Sequence, residues 1–171
     1  SLWNSGYHVN ISRTGNPMFG FEAITQAVLK SKIVSPHVKS AFGSIQVNGL
    51  LEVQGRFEGK GIRGIPTEKS GLQTGHLKDF PEIVHYNKQY LEQFDQGNYI
   101  IIGREMARFY GWQVGDTVHL VLPQGGSLRK GMNIRREEFI IAGFFRTGFY
   151  EFDMNLIYMA LPTAQRVLDM P

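Results

Sequence analysis

Apolar positions along this chain recur with two different periods, and the switches between them outline its elements. Tyr7-His-Val-Asn-Ile-Ser12 alternates as a short strand, and after the turn residues Gly15, Asn16 and Pro17 the positions Phe21, Ile24, Ala27 and Val28 fall on one face of a helix over 21–31. From Ile33 to Gly64 the period is two: Ile45, Val47, Leu51 and Val53 alternate with polar residues and glycines punctuate the run, which predicts two or three hairpin-paired strands. The polar stretch from Pro66 to Gly97 predicts loops with one or two short helices. Tyr99-Ile-Ile-Ile102 is short enough for a buried strand, and Met106, Phe109 and Tyr110 share a face of the helix that follows, with Gly111 as its C′ residue. After a Gly115-Asp116 turn, Val118, Leu120 and Leu122 line one face of a strand over 117–123 whose partner is Glu138–Phe145. Asn155–Ala160 gives a last strand, and Pro162 sits at the first position of a terminal helix that Pro171 closes. The pattern is α+β with β dominant, and no internal repeat stands out.

The 171 residues suffice for one domain, or two small subdomains, with a real core. Twenty glycines is nearly twice the roughly 7% of average usage. Without a Gly-X-Y period they mark turns rather than collagen or disorder. The absence of cysteine excludes a disulfide framework and thiolate chemistry. Apolar runs such as Phe139–Phe145 fall far short of the roughly 20 residues that span a bilayer. The chain opens on Ser1-Leu2-Trp3 without Met or a signal-like segment, and it reads as an excised piece of a longer protein.

A sequence pI of about 9.2 raises nucleic acid as a partner, but that reading asks for a basic stripe interleaved with aromatics. The bases are instead concentrated in one place. Arg129, Lys130, Arg135 and Arg136 all lie in the acid-free segment from Pro123 to Arg136, and these four exceed the whole chain's formal net charge of +3, so the remainder is slightly acidic. A connection of about 14 residues, where hairpins usually take 2 to 5, is either functional or a solvated loop. It also carries Leu128, Met132 and Ile134, apolar residues with nothing obvious to pack on.

Catalytic motifs lack their context. Gly59-Lys-Gly61-Ile-Arg-Gly64 matches the dinucleotide fingerprint letter for letter, but Ile65-Pro66 follows where a helix should open, which favours a glycine-rich strand or turn. The five histidines show no metal-binding spacing. Glu151 and Asp153, two apart, share one face if that segment is extended, as a hydrolase pair would require, though a solvated polar face explains them equally well.

Several pieces then fall in one order: Gly61-Ile-Arg-Gly-Ile-Pro66; Gly103 with Met106-Ala107 and Gly111; Gly115-Asp-Thr-Val118; Leu122-Pro123; Gly148-Phe-Tyr-Glu-Phe-Asp153; Ala164-Gln165. This order resembles the periplasmic domain of the lipoprotein-releasing ABC transporter permeases, the LolC/LolE family, related to the MacB-like core domain and the FtsX-like permeases. The resemblance runs from about Tyr7 to the end. It implies a βαβ porter-like half over 1–48 and an inserted, mainly-β subdomain over 49–171 with a long protruding hairpin, the second porter half being expected beyond Pro171. It implies a non-enzymatic domain without cofactor on the periplasmic face of the bacterial inner membrane, anchored by segments outside this piece. It would work with a second permease subunit and a separate ATPase, which supplies the energy. The implied work is to couple ATP-driven motion to the release of lipoprotein substrate and its handover to a LolA-like periplasmic carrier. Docking of that carrier would fall to Pro123, Leu128, Arg129, Lys130, Met132, Ile134, Arg135 and Arg136. Two arms of about seven residues could project on the order of 20 Å. The alternatives are a MacB-like efflux permease domain that docks an adaptor and, from another class, a hydrolase using Glu151 and Asp153.

Overall fold

A computed structural model describes residue 30 and residues 44–67, 81–126 and 133–170. The expected strand over 7–12 and nearly all of the helix over 21–31 lie outside the described residues. The described chain runs β1 (Ile45–Val53), β2 (Arg56–Ile65), β3 (Glu82–Tyr86), α1 (Lys88–Glu92), β4 (Tyr99–Gly103), α2 (Arg104–Tyr110), β5 (Thr117–Pro123), β6 (Ile134–Arg146), α3 (Tyr150–Asn155), β7 (Leu156–Ala160) and α4 (Leu161–Val167). The fold is α+β and rich in strands, as the sequence pattern predicts.

Six strands close on themselves in the order β6-β4-β7-β2-β1-β5, because β5 pairs with both β1 and β6; β3 is added alongside the end of β6. Closure removes the sheet edges that an open sheet of this kind would expose. Ile62, Ile100, Ile102, Leu120, Leu122, Phe139, Ile141 and Met159 fill one core. A second core on the other side of the same strands joins Ile101, Ala142, Phe145 and Tyr158 to Phe94, with Tyr90 and Leu91 of α1 packed against it. Ile100 and Ile102 thus enter one core and Ile101 the other, which is why β4 reads as an unbroken apolar run rather than an alternation.

The topology contains a repeat that side chains conceal. A hairpin, a crossover, a five-residue strand and a seven-residue helix occur as β1-β2 then β4-α2, and again as β5-β6 then β7-α4. The halves interlock: β2 runs parallel to β7 and β4 parallel to β6, so each hairpin is zipped to the other half's strand. The two hairpins close very differently. β1 and β2 meet at Gln54-Gly55, both with positive φ (48° and 76°), a two-residue turn whose twist suits adjoining antiparallel strands. β5 and β6 are joined through residues 124–133.

The structure departs from the sequence expectations in several places. β3 lies in the polar stretch read as loops and helices. The helix at 150–155 replaces the extended segment expected around Glu151 and Asp153. Leu161 rather than Pro162 takes the first position of α4. Across the expected boundary at 48/49, β1 pairs with β2 without a break from Ile45 to Val53. The dinucleotide-like glycines lie in the middle of β2, as a strand; a Cβ on Gly64 would stand 2.5 Å from that of Ala164, so this glycine seats α4 against the barrel. Ile45 and Leu168 belong to one core, and Gly64 lies against both Ile45 and Ala164. The chain therefore joins β1 and leaves α4 at the same end of the barrel.

Candidate docking surface

The β5-β6 hairpin pairs from Thr117↔Ile140 out to Pro123↔Ile134. The ladder is longer than expected: β6 begins at Ile134, not Glu138, and the linking segment shrinks to residues 124–133. The base of that segment is fixed. Gln124 N donates to Asn133 O (3.1 Å), Gly125 N donates to Leu168 O (2.7 Å), and the Gln124 side-chain amide donates to Val167 O (2.9 Å). The Val167 and Leu168 carbonyls end α4, where the helix supplies no donors of its own. The hairpin is thereby tied to α4 at its root.

The expected docking residues separate into three groups. Pro123 is buried at the end of β5, where a missing N–H costs nothing only at a ladder's limit. Ile134 is 65% exposed, an isoleucine facing solvent beside the root of the loop. Arg135 and Arg136 are exposed but engaged: Arg135 pairs with Glu137, and the Arg136 Nε donates to Glu52 Oε2 at 2.7 Å. That hydrogen bond from Arg136 holds the Glu52 carboxyl below its ordinary range and raises the guanidinium in turn. Two of the four bases of the segment, Arg135 and Arg136, thus sit in the ladder with acidic partners. Leu128, Arg129, Lys130 and Met132 lie outside the described residues.

The carboxylate pair does not form a reaction centre. Asp153 is buried (3% exposed) and its oxygens accept from Thr147 N (2.7 Å), Thr147 Oγ1 (2.6 Å) and Gly148 N (3.1 Å). Glu151 is exposed and accepts from the Asn155 amide at 3.3 Å. Helical geometry, not extended backbone, separates the two side chains. Asp153 ties the loop before α3 to the helix itself. Among the described residues no group of three His, Asp or Glu side chains is placed to hold a metal.

Sequence reasoning missed the far end of the barrel. Lys60 is buried there, its Nζ donating to Met154 O (3.1 Å) at the end of α3 and lying 5.3 Å from the centre of the Tyr110 ring. Burial pushes the Lys60 ammonium down and the Tyr110 phenol up, Glu58 adding to the latter. The Tyr110 hydroxyl is enclosed with no hydrogen-bond partner among the described residues. Tyr110→Phe should therefore stabilise the domain by about 1 kcal/mol in urea titrations at neutral pH. Because the folded phenol holds its proton above the ordinary value of 10.0, wild type should lose further ground to the variant as pH rises above 10.

No protein-family model matches the chain. It is 26% identical over 165 residues, 95% of its length, to the lipoprotein-releasing system transmembrane protein LolC of Xylella fastidiosa, in strains Temecula1 and 9a5c. The chain spans 37% of the length of those relatives. Among solved structures, the extracellular domain of the noncanonic ABC-type transporter YknZ from Gram-positive bacteria has the same fold, with a TM-score of 0.55 at 12% identity over 87% of this chain and 66% of that one.

Proposed function

We propose that this chain, which has the similarity and the fold of a periplasmic domain of an FtsX-like ABC permease, hands lipoproteins released from the inner membrane to a LolA-like carrier. It catalyses nothing itself; an ATPase subunit acting through the permease's membrane helices supplies the energy. The observation that carries this reading is the unequal closure of two otherwise equivalent hairpins. β1-β2 needs only Gln54-Gly55 to turn, whereas β5-β6 takes residues 124–133. Folding demands no such length, so the extra residues are free to serve a partner. Their root is held on the end of α4 by two hydrogen bonds, from Gly125 N and the Gln124 side chain, which fixes the loop's origin relative to the barrel.

In this reading Leu128, Met132 and Ile134 anchor in an apolar pocket of the carrier, and Arg129 and Lys130 draw in its acidic rim. Arg135 and Arg136 stiffen the arm through Glu137 and Glu52 rather than acting as free charges. In this reading the barrel, entered at β1 and left at α4 on one side, is an insertion between two halves of a porter layer. Rocking of that layer would carry the hairpin with it.

Reversing two charges tests the steering role. Arg129→Glu with Lys130→Glu should weaken carrier binding about tenfold in low salt, chiefly through the association rate, and the deficit should shrink in high salt. Surface plasmon resonance with the cognate carrier reads this directly. An unchanged association rate would remove these bases from the interface.

A further inference from the structure

On the outer face of the barrel, three adjoining strands place four ionisable side chains together. His119 of β5 lies opposite Glu52 of β1 on one side and Glu138 of β6 on the other. Its Nε2 is 3.2 Å from Glu138 Oε2. Arg136, two residues before Glu138, reaches across to Glu52 at 2.7 Å. With His119 neutral the cluster holds two acids against one base; with His119 protonated the charges balance. Histidine is the side chain whose ordinary chemistry makes that change between about pH 5 and 8. β5 is also the arm that leads into the loop at 124–133, and it meets β1 at only three register positions, ending on Glu52↔His119.

We infer that His119 is a proton-operated clasp: its protonation fastens the β5 arm to β1 and β6 together and strengthens docking at the hairpin in mildly acidic medium. Two effects run in the same direction. Protonated His119 can donate to Glu138 while attracting Glu52, so both neighbours of β5 are drawn to it at once. The same proton cancels the net negative charge on the β5 arm, four ladder positions from Pro123 at the loop's root, which lessens repulsion of an acidic partner. The pair is partly exposed, with His119 and Glu138 side chains at 31% and 65%, so the response is graded rather than abrupt. The docking half of this inference rests on the carrier-binding reading; the clasp half does not.

Thermal melting of the 171-residue chain and of His119→Gln, each at pH 5.5 and pH 8.0, tests the clasp. Wild type should gain about 1–2 °C over the variant on acidification. Glu138→Gln should lose that gain as well. Parallel pH profiles of wild type and His119→Gln would overturn the clasp. Carrier binding measured on the same samples should tighten about threefold for wild type between pH 8.0 and 5.5 and stay level in His119→Gln. If the melting difference appears but the carrier binds at neither pH, the clasp stands and the carrier reading falls.

Discussion

Gly103→Ala should cost about 4 kcal/mol or more, the largest loss expected from one added methyl group at any of the described glycines. An added Cβ would stand 1.7 Å from the Asp153 carbonyl oxygen and 2.3 Å from its carbon, and both are backbone atoms. A flexible side chain could swing away from such a contact; here α3 itself would have to move. It is not free to do so, because Asp153 binds it to residues 147 and 148 and Lys60 holds its last turn. The equivalent position in the other half is Ala160, which already carries a Cβ and lies buried at the end of β7. Ala160→Gly should therefore cost only about 1 kcal/mol. Urea unfolding midpoints for the pair separate a true backbone collision from a general intolerance of change at the ends of these strands.

Asp153→Ala should cost about 3–4 kcal/mol, because it strands two backbone N–H groups and a hydroxyl that now donate to one buried carboxylate. Asp153→Asn should cost less, about 1–2 kcal/mol, since its carbonyl can still accept from Thr147 while its amide opposes Gly148 N. Both sites lie at the end of β4, whereas the loop at 124–133 springs from the α4 end of the barrel. Carrier affinity per folded molecule should accordingly be unchanged in every one of these variants. A parallel loss of affinity and stability would place Asp153 in the partner surface. A hydrolytic role for the Glu151 and Asp153 pair finds no support in this arrangement, because Asp153 is buried and bonded to Thr147 and Gly148 while Glu151 is exposed beside Asn155.

What was legible in the sequence depended on how each element is buried. β1, β2, β4, β5 and β7 each have at least one face in a core, and alternation or a short apolar run marked them. Gly111, at φ 73° in the C-cap of α2, was readable because a left-handed residue there is a glycine by steric necessity. β3 escaped notice because it is a five-residue strand added at the rim, with an irregular register between Ile83 and His85 and no fully buried residue. The start of β6 was hidden for a different reason. Ile134-Arg-Arg-Glu-Glu138 reads as loop, but its charges pair with Glu52 and His119 on neighbouring strands and, within β6, between Arg135 and Glu137. Local pattern cannot show a partner 84 residues away. The same limit hid the role of Asp153, which comes from six-residue reach inside a turn, and the repeat, which survives in strand order while its side chains have diverged. The loop itself was legible from charge and length, yet the paired state of Arg135 and Arg136 was not.

In the proposed function, the residues between the two fixed ends of the β5-β6 link dock a carrier. The structure sets where to cut: Gln124 and Gly125 are bonded to α4, Asn133 accepts from Gln124, and Ile134 begins the ladder. Replacing residues 127–132 with Asn-Gly should leave the melting temperature of the domain essentially unchanged and reduce binding of the cognate lipoprotein carrier at least about tenfold, as loss of a central anchor does. Equal carrier binding by the shortened and full-length chains would contradict the account.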